Sequence, residues 1–292
     1  MRLVSFRKDD RLVAGFEEEG LLVEATELSR ARGLEAPTVR RLLELGPDVI
    51  QHLVLEARGR LGNREPPVLR LEAVRLGPPV PDPDKIICLG QNYAEHVAEM
   101  ASERPKVPNL FAKFRNALVG NGEPIRLPGI SRQVDYEGEL AVVIGRRCHR
   151  VGEQDALKFV GGYAPMNDVS ARDLQFQTGQ YTMGKALDTF CPMGPGLTLA
   201  ADVADPQQLT LRTYLNGEAV QVGSTAAMLF SVAEAISFIS SGITLECGDV
   251  IATGTPSGVG YKRQPPRFLR PGDRIEVEVE GIGRLTNPVV QG

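Results

Sequence analysis

The stretch Val134–Gly145, VDYEGELAVVIG, sets two glutamates two positions apart at the mouth of a strongly apolar run. Side chains alternate along a strand, so Glu137 and Glu139 share one face, with roughly 7 Å between them. Like charges that close disfavour joint ionisation unless a cation intervenes. A hard divalent ion prefers such oxygen ligands, and Mg²⁺ takes few carboxylates while keeping waters. Gly138 leaves the opposite face bare, so another part of the chain can approach closely there. A solvated, charged strand end carries the same Glu-x-Glu, and the pair by itself does not separate the two readings.

Outward from this run, KIICLG (85–90) reads as a short buried strand, and DALKFVGGYAPMNDVSARD (155–173) begins helically and passes a Gly-Gly break into a strand or loop. LTLRTYLNGEAVQ (209–221) alternates and carries Asn216-Gly217, a two-residue hairpin signal. STAAMLFSVAEAISFISSG (224–242) predicts a helix with Ser224 or Thr225 as N-cap and a stripe of Leu229, Val232, Ala233, Ile236 and Ile239. Near the C-terminus, Ile275, Val277 and Val279 alternate with Glu276, Glu278 and Glu280, as in a strand with one wet face. The C-terminal body is therefore mixed, with mostly antiparallel pairing.

LGPPVPDPDK (76–85) holds four prolines in ten residues and reads as an extended connector. It sets a small N-terminal module, residues 1–77, before a body of residues 78–292. The module opens on a meander of short strands. APTVRRLLELGPDVIQHLVLEARGRL (36–61) then predicts two helices broken near Pro47 and Asp48, with Leu42, Leu43, Leu45, Val49, Leu53 and Leu55 on the apolar face.

The 292 residues are 42% hydrophobic, enough for a substantial core, and the 5% aromatic content without tryptophan fits an α/β or β-rich enzyme. A net charge of −4 with no long basic block argues against nucleic acid or an anionic membrane as partner. No stretch approaches the roughly 20 apolar residues of a membrane span, and the N-terminus lacks the pattern of a signal peptide. Cys88, Cys148, Cys191 and Cys247 are scattered, which suggests reduced thiols, neither a zinc site nor a disulfide framework. A soluble cytoplasmic protein is expected.

Further polar clusters could carry chemistry. MNDVSARDLQ (166–175) offers Asp168 as a third oxygen ligand and Arg172 as a planar clamp for a carboxylate, or else a capped turn with local pairing. In NYAEHVAEM (92–100) a helix would put His96 and Glu99 on one face, so that Glu99 fixes the imidazole tautomer and the other nitrogen serves as base. A surface His beside a Glu has the same spacing. His52 and His149 have no such neighbourhood and read as structural or surface residues. GTPSGVG (254–260) fails the spacing of a phosphate loop; it can line a pocket with backbone N–H groups and Thr255, or simply turn. Lys185, beside Asp188 in a Gly- and Pro-bounded loop, could offset an acidic site.

Taken in order, His-x-x-Glu, Glu-x-Glu, Asn-Asp-Val-Ser-Ala-Arg-Asp, Gly-Lys-x-x-Asp-Thr-Phe, Asn-Gly-Glu and Gly-Thr-Pro-x-Gly-Val-Gly resemble the fumarylacetoacetate hydrolase superfamily over about 84–290. GKALDTFCPMGP and MRLVSFR look most like its branch of fumarylacetoacetate-hydrolase-domain proteins. The resemblance implies an α+β fold whose C-terminal part is a mixed β-roll or sandwich, assembled as a homodimer. It implies magnesium or manganese (Mg²⁺, Mn²⁺; calcium, Ca²⁺, being a further candidate) on Glu137, Glu139 and Asp168. His96 and Glu99 match its general-base dyad. Lys185, Arg172 and Gln175 match substrate- or oxyanion-contacting positions, and Gly254 and Thr255 the pocket loop. Leu89 stands where fumarylacetoacetate hydrolase itself has a further metal-binding aspartate, which points to the smaller relatives' three-carboxylate site.

The activity so implied is hydrolysis of a C–C bond in a 2,4-dioxo acid such as an acylpyruvate, through an enolate that the ion stabilises. The same enolate serves oxaloacetate decarboxylation or tautomerisation and isomerisation of hydroxymuconate-type diacids, which form the alternative. A silent metabolite-binding protein is the third reading; the complete dyad and ligand set argue against it.

Overall fold

The computed structural model describes residues 1–30, 33–34, 37–65 and 67–292; Ala36, the first residue of the helical stretch read from sequence, lies outside them. The central strand Gly138–Ile144 is buried along its whole length. Its alternate residues enter two different cores. Leu140, Val142 and Ile144 pack with Leu211, Ile236 and Ile239, while Ala141 and Val143 join Phe16, Leu42 and Leu53. Cover on both faces is what turns the expected alternation into a continuous apolar run.

That strand lies inside a ten-stranded mixed sheet, ordered Leu69–Arg70, Leu21–Glu24, Arg11–Glu18, Arg2–Lys8, Leu197–Leu199, Val160–Asn167, Gly138–Ile144, Val250–Ala252, Ile86–Gly90, Asn109–Lys113. Val250–Ala252 and Ile86–Gly90 run parallel and the other neighbours antiparallel. Residues 1–77 thus supply four strands to the sheet that carries the glutamates, joined through Leu3 opposite Leu197. A second sheet of five strands runs Glu218–Ser224, Thr210–Leu215, Arg274–Val279, Gly283–Gln291, Ile125–Leu127. Its hairpin turns at Asn216 (φ 55°) and Gly217 (φ 84°), the left-handed pair that a two-residue loop needs. No helix among the described residues is long and apolar enough to cross a membrane.

Gly138 is where the two sheets touch. A Cβ there would collide with the Thr213 hydroxyl and crowd Val277 and Leu211. Gly138→Ala is expected to cost about 1–3 kcal/mol by overpacking, read as a lowered melting temperature by circular dichroism. An unchanged melting curve would show that the sheets separate freely at this point.

The helices differ from the expectation in two places. Pro47–Asn63 and Val39–Leu43 form the predicted pair, but Leu55 faces outward, 59% exposed. The later helix spans Val232–Ser240 and starts at Ser231, whose Oγ accepts the Glu234 N–H while Glu234 accepts the Ser231 N–H. This reciprocal capping box overrides Ser224 and Thr225; Ser224 instead caps a short 3₁₀ turn at Thr225–Ala227. Leu229 and Phe230 form a bend before the helix, their N–H groups donating to Asn92 O (2.7 Å) and Asn92 Oδ1 (2.8 Å).

Candidate active site

Glu137 and Glu139 flank Gly138, whose N–H donates to Gln221 Oε1 on the second sheet at 3.0 Å. The neighbouring strand ends at Asn167, paired opposite Gly138, so the next residue turns back beside the glutamates. Asp168 N–H donates to Glu137 O (2.8 Å), and Glu137 N–H to Asn167 Oδ1 (3.0 Å). One oxygen from each of Glu137, Glu139 and Asp168 thereby lies within 4.8 Å of the others, all three residues buried.

The surrounding cations are shared unequally. Lys185 Nζ stands 2.7 Å from both Glu137 Oε2 and Asp168 Oδ2. Arg172 Nη2 is 2.7 Å from Glu137 Oε1, and Lys113 Nζ is 2.5 Å from Asp168 Oδ1. Burial pushes Glu137 up, but Lys185 and Arg172 outweigh it and hold that carboxyl well below the usual range. Glu139 accepts the Gly254 N–H at 2.8 Å and has no ion-pair partner among the described residues. Burial, with Asp168 and Glu137 beside it, pushes its carboxyl well above the usual range. Three hard oxygen donors, one of them uncompensated, are the donor set that a small divalent cation fits.

His96 lies on the helix Ala94–Glu99, and its Nδ1 is 3.0 Å from Glu99 Oε2. Glu99 Oε1 accepts the Gly258 N–H at 2.8 Å, so the glycine-rich loop orients the glutamate. With Nδ1–H donated to Glu99, Nε2 is the basic nitrogen. His96, Glu137, Glu139, Arg172, Gln175, Lys185 and Thr255 line one cavity of about 50 Å³, closed on its apolar side by Leu89, Met100, Phe111 and Tyr181. A wider cleft of about 1220 Å³ near Arg7 and Arg284 is lined by charged side chains of both signs, among them Arg7 at 3.6 Å from Glu123.

The remaining expected residues fall as follows. Arg172 is 1% exposed; its Nε donates to Asp135 Oδ2 (2.9 Å) and its Nη1 to Gln175 Oε1 (2.9 Å). Gly254 has φ +95°, and a Cβ there would sit 2.8 Å from Asn92 Cβ, so the loop passes close only as glycine. Thr255 Oγ1 donates to Gly138 O (2.8 Å) and accepts from Gln221 Nε2 (2.8 Å). Lys185 also lies 5.0 Å from the Phe111 ring, which meets Tyr181 edge-on. Asp173 and Asp188 stay outside the cluster, bonded to Ser131 and Asn116. His52 and His149 are exposed, and the four cysteines are buried and unpaired.

Two site residues escaped the sequence reading. Asp135 shares the parity of Glu137 and Glu139 and accepts from Tyr136, Gly260 and Tyr261 N–H as well as Arg172. Lys113 shares the parity of Phe111 in NLFAK and was detectable only as a lone charge in an apolar strand.

Residues 85–290 match the family described as fumarylacetoacetate (FAA) hydrolase, C-terminal. Oxaloacetate tautomerase YisK of Bacillus subtilis is 47% identical over 75% of this chain and 74% of its own length. The mitochondrial oxaloacetate tautomerase fahd2 of Xenopus laevis is 38% identical over 99% of this chain and 90% of its own. Among solved structures, the fumarylacetoacetate hydrolase of Exiguobacterium antarcticum superposes over 100% of both chains with a TM-score of 0.86 and 38% identity. Maleylpyruvate hydrolase of Sphingobium sp. SYK-6, solved with manganese(II) and pyruvate, covers 100% of both chains with a TM-score of 0.82 and 31% identity. With these matches spanning sheet, dyad and acidic triad together, the chain belongs to the fumarylacetoacetate hydrolase family.

Proposed function

We propose that the chain is a divalent-ion-dependent oxaloacetate tautomerase, moving one proton between C3 and the 2-oxo oxygen of a short 2-oxo diacid. The observation that carries this reading is a base already oriented, His96 on Glu99, in the same small cavity as Glu137 and Glu139, two of the three carboxylates whose oxygens lie within 4.8 Å of one another. The two tautomerase relatives support it. Their activity now takes precedence over the C–C hydrolysis expected first from sequence.

Mg²⁺ or Mn²⁺ held by Glu137, Glu139 and Asp168 would supply Lewis-acid polarisation of the 2-oxo group. The protein's own groups do the rest. His96 Nε2 takes the C3 proton, and Glu99 stabilises the imidazolium that results. Lys185, whose ammonium lines the cavity, offsets the charge that gathers on the 2-oxo oxygen. Arg172 and Gln175 orient the carboxylate end, and Gly254 and Thr255 hold the Glu139 side of the site. One base that accepts and returns a proton suffices, and no water need enter. Assembly as a homodimer is part of the proposal, as the resemblance implies.

A second reading is kept because the same dyad suits activation of water: C–C hydrolysis of a 2,4-dioxo acid, as the maleylpyruvate hydrolase neighbour's name describes for that protein. The test follows oxaloacetate by the ultraviolet absorbance of its enol and by proton NMR, with acetylpyruvate in parallel and an EDTA-treated sample beside each. Keto–enol equilibration faster than the ion-only background, lost with EDTA and leaving oxaloacetate intact, is the expected result. Acetate and pyruvate from acetylpyruvate without such acceleration would transfer the assignment to hydrolysis. Pyruvate from oxaloacetate would transfer it to decarboxylation.

A further inference from the structure

We propose that Lys113 is a positioning residue of the ligand set, a buried ammonium that pins one oxygen of Asp168 and so presents the other. The proposal rests on the reading of Glu137, Glu139 and Asp168 as ligands. Lys113 ends the strand Asn109–Lys113 and is 2% exposed. Its Nζ donates to Asp168 Oδ1 at 2.5 Å and to Val169 O at 3.1 Å, which ties the ammonium to both sides of the turn that brings Asp168 to the glutamates.

Two lysines therefore hold one carboxylate, and they are not equivalent. Lys185, on Oδ2, lines the cavity; Lys113, on Oδ1, does not, and is buried with Asp168 away from it. With Oδ1 held by Lys113, the oxygen left to Asp168 is Oδ2, which shares Lys185 with Glu137. That leaves Lys185 exchangeable between Asp168 and a substrate oxygen without stripping the carboxylate of its counter-charge. A buried, paired lysine is no cheap source of stability, since an apolar side chain of similar size often serves the fold as well. The orientation it imposes on the ligand is the role that this placement supports.

The sign of the effect makes the proposal testable. A lysine that merely repels an incoming cation would, on removal, tighten ion binding. A lysine that positions a ligand would, on removal, weaken it by about 10–100-fold, the range for groups that orient metal ligands. Mn²⁺ is titrated into the full chain by calorimetry, with loss of the free-ion EPR signal as second readout and melting curves to certify folding. Lys113→Met is expected to bind Mn²⁺ about 10–100-fold more weakly, and Lys113→Arg to restore most of the loss. Unchanged or tighter binding in folded Lys113→Met overturns the proposal. If that variant does not fold, Lys113→Gln and Lys113→Arg decide: weaker binding in Gln than in Arg supports it, and equal affinity overturns it. Failure of the unaltered protein to bind Mn²⁺ would instead remove the metal reading itself.

Discussion

Asp168→Ala is expected to abolish divalent-ion binding and to lower the proposed turnover of oxaloacetate by about 10³-fold, equivalent to roughly 4 kcal/mol of transition-state stabilisation. Asp168 is the junction of the cluster, bound by Lys113 at one oxygen and Lys185 at the other. Its removal takes a ligand from the ion and leaves two buried ammonium groups short of their counter-charge. The second consequence is a loss of stability of about 3–5 kcal/mol, as for other broken buried pairs. Asp168→Asn removes the same charge but keeps the side-chain volume, so comparison with Asp168→Ala separates the loss of charge from the loss of packing. Calorimetric titration with Mn²⁺, beside a thermal melt, checks both. An Asp168→Asn protein that still folds cooperatively and binds no ion places Asp168 in the ligand set; an unaltered isotherm takes it out.

How far the site could be read without coordinates depended on the range of the contacts. Glu137 and Glu139 share a face by strand parity, but the sequence left a solvated strand end open, and their burial is seen only in the packed structure. His96 and Glu99 were legible because four helical residues are enough to set their geometry. The start of the later helix was legible too, since Ser231 and Glu234 spell a capping box; the longer apolar pattern before it pointed to Ser224. What drew Leu229 and Phe230 away from that pattern is Asn92, 138 positions from Phe230. Lys113 on Asp168 is a contact across 55 residues, and Leu3 opposite Leu197 joins the N-terminal strands to the sheet. Local periodicity carries no information on such pairings. Arg172 shows a middle case. Its motif matched, yet only the packed structure shows its guanidinium held by Asp135, Glu137 and Gln175 together.

His96→Gln is expected to lower kcat by about 10²–10⁴-fold while leaving Mn²⁺ binding intact, because in the proposed mechanism the imidazole acts as base and not as ligand. Glu99 sharpens the test. Its Oε1 accepts the Gly258 N–H and its Oε2 faces His96 Nδ1. In Glu99→Gln the amide oxygen stays with Gly258, so the amide N–H₂ turns to Nδ1. The imidazole proton is then forced onto Nε2, the atom that must be unprotonated to act. Glu99→Gln is therefore nearly as damaging as His96→Gln, although it keeps the hydrogen-bond count. Glu99→Ala, which imposes no tautomer, retains more activity than Glu99→Gln. That order, Ala above Gln, is specific to a base working through Nε2, and the reverse order in kcat would show that Glu99 serves only to hold the loop at Gly258.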